Sequence, residues 1–259
     1  MIKIEIAIST LNDGIHKIHF NPKFNYLIVH QINNNKDYSH YERLIKLKNI
    51  RYIKSHSIGL SKSRNLAIKN SDADYIWIMD DDVKIDDNAY DDFFKIINSN
   101  TKFDMLILSH SSTSHSHNNK AYSLSSINRY NAMSVSSIDM LLNRKSIIDN
   151  KILFNENFGL GTNLPSGEEF IFTTQMLKKK LKIYKTNIIF SYHPPIASGH
   201  DFYSDNRKLK AKLAMFTITY GETIGRFLFS CFIIKKIKIL MKKRKILSAI
   251  HICFLTNRL

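Results

Sequence analysis

A chain of 259 residues with 44% hydrophobic and 23% charged side chains can bury a sizeable core, as one α/β domain or as a domain with an appendage. Its two cysteines, Cys231 and Cys253, have no CxxC or metal-finger spacing, which argues against a disulfide framework and fits a reducing compartment. The net charge of +16 is concentrated in residues 207–259, where 13 Lys and Arg face one acid, Glu222, so the body is nearly balanced and does not read as a nucleic-acid-binding surface.

"MIKIEIAIST" enters an alternating strand directly, without a basic segment and an apolar run before it, so no signal peptide is expected. "KIEIAIS" (3–9), "FNYLIVH" (24–30), "DYIWIM" (74–79) and "DMLILS" (104–109) read as strands. "LSKSRNLAIKN" (60–70) reads as a helix with Leu60, Arg64, Ala67 and Ile68 on one side. "DDNAYDDFFKIINS" (86–99) reads as another, with Asp86 and Asp87 placed to cap it. Strands alternating with helices predict a mostly parallel sheet covered on both faces, in which ligands sit beyond the carboxyl ends of the strands. Asp80, Asp81 and Asp82 stand at one such end, and Ser9 and Thr10 end the first strand at the same edge. Trp77, inside the apolar run, is expected in the core.

"SHSSTSHSHNNK" (109–120), with His110, His115 and His117, reads as a solvated loop, since no cysteine or carboxylate beside it completes a zinc ligand set. A strand is expected at 137–143, and His193 and His200 flank "PPIASG". In the tail, Ile233, Ile234, Ile237, Leu240 and Met241 share one helical arc, with Lys235, Lys236, Lys238, Lys242, Lys243 and Lys245 opposite. Its apolar runs fall short of the ~20 residues of a spanning helix, so it reads either as lying on an anionic membrane surface or as packing on the body with a solvated basic face.

Three carboxylates after a strand can hold a divalent metal, supply acid/base chemistry or cap a helix. Hard oxygen ligands two residues apart suit Mg²⁺ or Mn²⁺ completed by substrate phosphates. A bare D-x-D is a weak signal; D-x-D directly after "YIWIM" is stronger.

"GLSKSRNLAIKNSDADYIWIMDDDV" (59–83) resembles the nucleotide-sugar half of family 2 glycosyltransferases of the GT-A fold, in which a G-x-S-x-x-R-N helix start precedes a strand ending in a D-x-D metal motif. "FGLGTNLPSGEEFIF" (158–172) resembles their second signature, a glycine-containing loop leading to an acidic pair at a helix start, about 85 residues further on. The resemblance covers roughly residues 1–200 and is nearest to bacterial enzymes that build O-antigen or capsule repeats. It implies a three-layer α/β GT-A fold: 1–108 the nucleotide-sugar-binding half, 109–206 the acceptor-binding half, and 207–259 a basic amphipathic helical tail. It also implies Mn²⁺ or Mg²⁺ on Asp80 and Asp82, with His193 as a third ligand. Ser9, Thr10, Gln31, Arg64, Asn65, Asp80 and Asp81 fall at its donor-binding positions. Glu169 falls at the position of the base, with Glu168 orienting loop or acceptor.

Three departures stand out. The second strand ends in "IVHQINNN", so Gln31 or Asn33 replaces the aspartate that commonly reads uracil. The acidic pair is Glu-Glu where Glu-Asp is commoner, and a lysine run, 178–180, occupies a usual glycine position. The expectation is an inverting, metal-dependent transferase moving a sugar from a UDP-linked donor to a lipid-linked glycan, cytoplasmic and peripheral on the membrane, with no nucleic-acid partner. The rivals are a nucleotidyltransferase of related fold, which would want a glycine-rich basic loop after the first strand, and a non-enzymatic basic binding module.

Overall fold

The expected alternation of strand and helix is present in the computed structural model, which describes residues 2–46, 50–99, 101–112, 122–193 and 201–254. In chain order the first half contains β1 (Ile4–Leu11), β2 (Asn25–Gln31), α1 (Ser39–Lys46), β3 (Arg51–Ser55), α2 (Leu60–Asn70), β4 (Tyr75–Asp80), β5 (Lys84–Ile85), α3 (Ala89–Asn98) and β6 (Met105–Ser111). The second half adds β7 (Leu124–Ser126), β8 (Met140–Asn143), α4 (Arg144–Asp149), α5 (Glu168–Lys178), β9 (Ile183–Tyr192), α6 (Asn206–Tyr220), α7 (Glu222–Lys235), α8 (Ile237–Lys242) and α9 (Ile246–Phe254).

One sheet runs in the order β3-β2-β1-β4-β8-β6-β9-β5, with β7 beside β9. The pairings β1 with β2 and β4, β2 with β3, and β6 with β9 are parallel, whereas β5, β7 and β8 run antiparallel to their neighbours. Its central strands are buried on both faces, as a parallel sheet between helices requires. Ile6, Ile8, Trp77 and Phe93 fill one layer; Ala7, Val29, Ile76, Ile78 and Phe172 fill the other. The Trp77 indole N–H donates to the Ile138 carbonyl at 2.7 Å, so its polar end is satisfied within the core.

A third cluster shows how the tail packs. Residues 206–254 form four helices, folded on one another and onto α5, burying Leu209, Leu213, Phe229, Leu240 and Ile252. The arc expected on the wheel splits, because the chain turns at Lys236 and again at Arg244, which takes a left-handed φ of 54°. Ile233 and Leu240 go inward while Ile234 and Met241 stay exposed. The α6–α7 crossing is as close as glycine allows: a Cβ on Gly225 would lie 2.5 Å from the Thr217 Cα. No described helix is long and apolar enough to cross a membrane.

Candidate active site

Register brings the site together at the carboxyl edge of the sheet. Ser9 of β1 pairs with Asp80 of β4, so the small hydroxyls ending one strand lie beside the carboxylates ending the next. Behind them runs α2, with small residues on its inner face. Ser63 donates to the Ser9 hydroxyl at 2.8 Å and Ser61 to the Phe158 carbonyl at 2.7 Å. Such short side chains let the helix approach closely and leave room for one long residue, Arg64.

Arg64 is 1% exposed, and its guanidinium is the hub of the site. One terminal nitrogen, Nη2, donates to Asp80 Oδ1 at 3.2 Å and to Ser137 Oγ at 2.7 Å. The other, Nη1, donates to Glu168 Oε1 at 3.2 Å and lies 3.7 Å from Glu169 Oε1. Its carbon sits 5.4 Å from the Phe154 ring centroid. Burial works against the positive charge, but Asp80, Glu169 and Glu168 more than restore it and hold the pKa above its ordinary value. Residues 104 positions apart are thereby joined through one cation.

The acidic pair opens α5 behind Gly167, whose φ of 108° suits a glycine. Glu168 is 3% exposed, and burial, then the Glu169 charge, push its carboxyl well up against the pull of Arg64. Three carboxylates around one guanidinium carry excess negative charge, and the deepest of them takes the proton. Among the described residues Glu168 Oε2 and Arg64 Nε have no hydrogen-bond partner, an uncommon condition for buried polar atoms. Glu169 is more open, with 23% of its side chain exposed.

The three aspartates diverge. Asp80 turns to Arg64. Asp81 turns back to β1, accepting from the Thr10 hydroxyl at 2.6 Å, and burial raises its pKa. Gly14 closes over that contact; a Cβ there would lie 2.1 Å from Asp81 Oδ2. Asp82 turns toward β9, where His193 Nε2 lies 3.4 Å from its Oδ1. Next to His193 is His110, the ring centroids 6.2 Å apart, and His110 Nδ1 is 3.0 Å from both oxygens of buried Asp139. That carboxylate raises the pKa of His110.

Asp80, Asp81, Asp82, Arg64, Glu168, Glu169, Ser9, Thr10 and His193 therefore gather at one edge. Asn65 does not join them: adjacent helix residues point about 100° apart, and its amide is taken by the Phe154 main chain and Glu156. Gln31 is buried and donates to the carbonyls of Ser57 and Gly59, bracing the entry to α2. Asn33 bonds to Asn12. His115, His117 and His200 lie outside the described residues. Ser137 and Asp139 emerge only from the structure. They occupy a 3₁₀ turn just before β8, inside a stretch whose pattern reads as strand, and no sequence signal marks them.

Among the described residues no three His, Cys, Asp or Glu side chains already converge as a metal cage. The donor set still fits a hard divalent ion. Asp82 and His193 face one another while Asp80 is turned to Arg64, and Mg²⁺ or Mn²⁺ sites take few protein ligands and complete their shell with phosphates and water.

The edge so described can be set beside known proteins. Residues 24–164 match the family pattern described as Glycosyl transferase family 2. No curated protein matches the chain at a significant level. Among solved structures, S. aureus TarS 1–349 superposes with a TM-score of 0.64 at 16% identity, covering 97% of this chain and 80% of that one. The same TarS segment in complex with UDP-GlcNAc gives 0.58 at 16% identity, over 87% and 70% of the two chains. The mannosyltransferase PcManGT from Pyrobaculum calidifontis, in complex with GDP-Man and Mn²⁺, gives 0.54 at 9% identity, over 83% and 63%. These likenesses carry the fold, a mixed and mostly parallel sheet of the GT-A kind. With the family pattern spanning more than half its length, the chain belongs to glycosyl transferase family 2 and is a glycosyltransferase.

Proposed function

We propose that this glycosyltransferase is metal-dependent and inverting, taking a sugar from a UDP-linked donor to a hydroxyl of a lipid-carried glycan in O-antigen or capsule synthesis. The observation that carries the reading is Arg64, which draws the strand-end carboxylate Asp80 and the helix-start pair Glu168-Glu169 onto one buried guanidinium. Two signatures that belong together in this chemistry are thus neighbours in space.

Asp82, His193 and Asp80 would hold Mg²⁺ or Mn²⁺, which when bound neutralises charge on the departing diphosphate. Ser9 and Thr10 in β1, with Asp81 just past the end of β4 held by Thr10, line the donor side. Glu169, on the far side of Arg64 from Asp80, takes the proton of the attacking acceptor hydroxyl. Glu168 holds Arg64 and the α5 start in place. The nucleotide-sugar complexes formed by TarS and PcManGT support donors of this class.

Asp82 is 43% exposed in its side chain, so Asp82→Asn should leave the fold intact. Nucleotide sugars with Mn²⁺ should raise the melting temperature of the wild type and not that of the variant. Equal Mn²⁺-dependent protection of both proteins would remove Asp82 from the metal site.

The C-terminal helices would seat the enzyme on the cytoplasmic face of the membrane. Phe227, Ile234, Met241, Leu247 and Phe254 are each more than 60% exposed, beside a run of lysines. Apolar side chains among basic ones suit an anionic lipid surface, to which each cation adds about 1 kcal/mol. Co-sedimentation with anionic vesicles should fall steeply with salt. Equal binding to neutral vesicles would argue against this face.

A further inference from the structure

β9 bulges where β6 ends. Ile107 pairs with Lys185 but Ser109 with Ile189, so β9 advances four residues while β6 advances two. Such bulges bend a strand and re-aim its side chains. Local hydrogen bonds hold this one. The Ser109 hydroxyl donates to the Thr186 carbonyl at 2.8 Å, the Ile188 N–H to Thr186 Oγ1 at 3.2 Å, and the Ser123 N–H to Asn187 Oδ1 at 2.9 Å. The displaced strand leaves an open cavity of about 380 Å³ between β6, β7 and β9. That volume falls in the range of small-molecule sites.

The lining is polar and, among the described residues, holds no carboxylate. Ser109, Ser123, Ser125 and Asn187 bring hydroxyl and amide groups, and His110 and Lys185 bring the ionisable ones. Lys185 is exposed at the rim. His110 is held from behind: its Nδ1 lies 3.0 Å from both oxygens of Asp139, which is only 7% exposed. A carboxylate on Nδ1 fixes the ring, favours the imidazolium and leaves Nε2 to meet a ligand. Asp139 raises the pKa of His110 and Lys185 opposes it, which sets the lysine within reach of the ring. On its other side His110 meets the His193 ring, with Asp82 beyond it. Asp139 is thus matched to His110, and Lys185 has no carboxylate in the cavity. Two cationic donors among hydroxyls suit an oxyanion, to which charge-assisted hydrogen bonds are strong. In a glycosyltransferase that oxyanion is one carried by a sugar.

We infer that the cavity between β6, β7 and β9 binds an acidic sugar, whose carboxylate or phosphate meets His110 and Lys185. The inference rests on the family assignment and not on the roles proposed for Glu169, Asp82 or a metal, so it stands or falls apart from them. It adds a charge requirement on the substrate to the proposed transfer.

The probes are methyl glucuronide, glucose 6-phosphate and neutral methyl glucoside, titrated into full-length protein in EDTA and followed by NMR. In the wild type at least one acidic sugar should bind about tenfold or more tightly than methyl glucoside and shift the amides of residues 109–111, 123–126 and 185–189. Which of the two binds better names the group, carboxylate or phosphate. Lys185→Met should weaken that binding about tenfold, with methyl glucoside unaffected and Lys185→Arg restoring most of the loss. His110→Gln should cost as much; because Lys185 is exposed, its variant tests the site even where His110→Gln disturbs the fold. Lys182→Met removes an exposed lysine outside the cavity and should change nothing. No preference of the wild type for either acidic sugar over methyl glucoside overturns the inference. So does undiminished binding by Lys185→Met, or an equal loss in Lys182→Met, which marks a general effect of charge.

Discussion

Arg64→Met should destabilise the protein by about 3–5 kcal/mol at neutral pH, the cost of leaving buried carboxylates without their cation. The guanidinium is 1% exposed and serves Asp80, Glu168 and Glu169 together, so its removal leaves the partly exposed Asp80 and Glu169 and the buried Glu168 without their shared cation. The deficit should depend on pH in a definite direction. Carboxylates deprived of Arg64 have folded pKa values raised above their unfolded ones. The protonated cluster is therefore tolerated at low pH, and stability is lost as pH rises through the raised values. Urea unfolding at pH 5 and pH 8 reads this directly, with the larger deficit at pH 8. Arg64→Lys keeps the charge but not the two-pronged geometry and should recover only part of the loss. A deficit within about 0.5 kcal/mol of zero would mean that Arg64 is a surface residue in all but position.

Glu169→Gln should reduce turnover about 10²- to 10⁴-fold while nucleotide-sugar protection persists, because the proposed base is lost and the donor side is untouched. The neighbouring Glu168→Gln should behave differently. Burial and the Glu169 charge push the Glu168 carboxyl up to about 8 from an ordinary 4.5. Its folded pKa lies above its unfolded one, so its contribution to stability is whole below about pH 4.5 and is lost as pH rises toward 8. A glutamine of the same shape cannot ionise. The variant should lose that part of the pH dependence and be no less stable than wild type at pH 8. Inactive Glu168→Gln with active Glu169→Gln would exchange the two roles, and activity in both would end the proposed mechanism.

The strand ending in Asp80 and the α2 and α5 helices are legible in the sequence because each announces itself locally: an apolar run stops at charge, and a glycine precedes a helix start. The role of Arg64 is not legible in the same way. Its partners Glu168 and Ser137 are distant in sequence, and a buried arginine looks like a surface one until its neighbours are known. Asn65 shows the limit of reading by adjacency, since one step along a helix turns a side chain out of the site. The strand β3 is a half-exposed edge with little apolar content, and β9 is masked by the lysines before it. In the tail, local periodicity describes a surface helix, but the turns at Lys236 and Arg244 and the close seat at Gly225 fold it into a small core. Tertiary packing outweighs a wheel drawn over thirteen residues.

The proposed pairing of a carboxylate metal side with a base side across Arg64 is tested most directly by the release of nucleoside diphosphate from a panel of nucleotide sugars. The purified protein is assayed with and without Mn²⁺, and Glu169→Gln beside it. The account predicts release from one donor, UDP-linked, that requires the metal and drops at least 10²-fold in the variant. Release from none of the donors, or metal-dependent release that Glu169→Gln leaves unchanged, would contradict it.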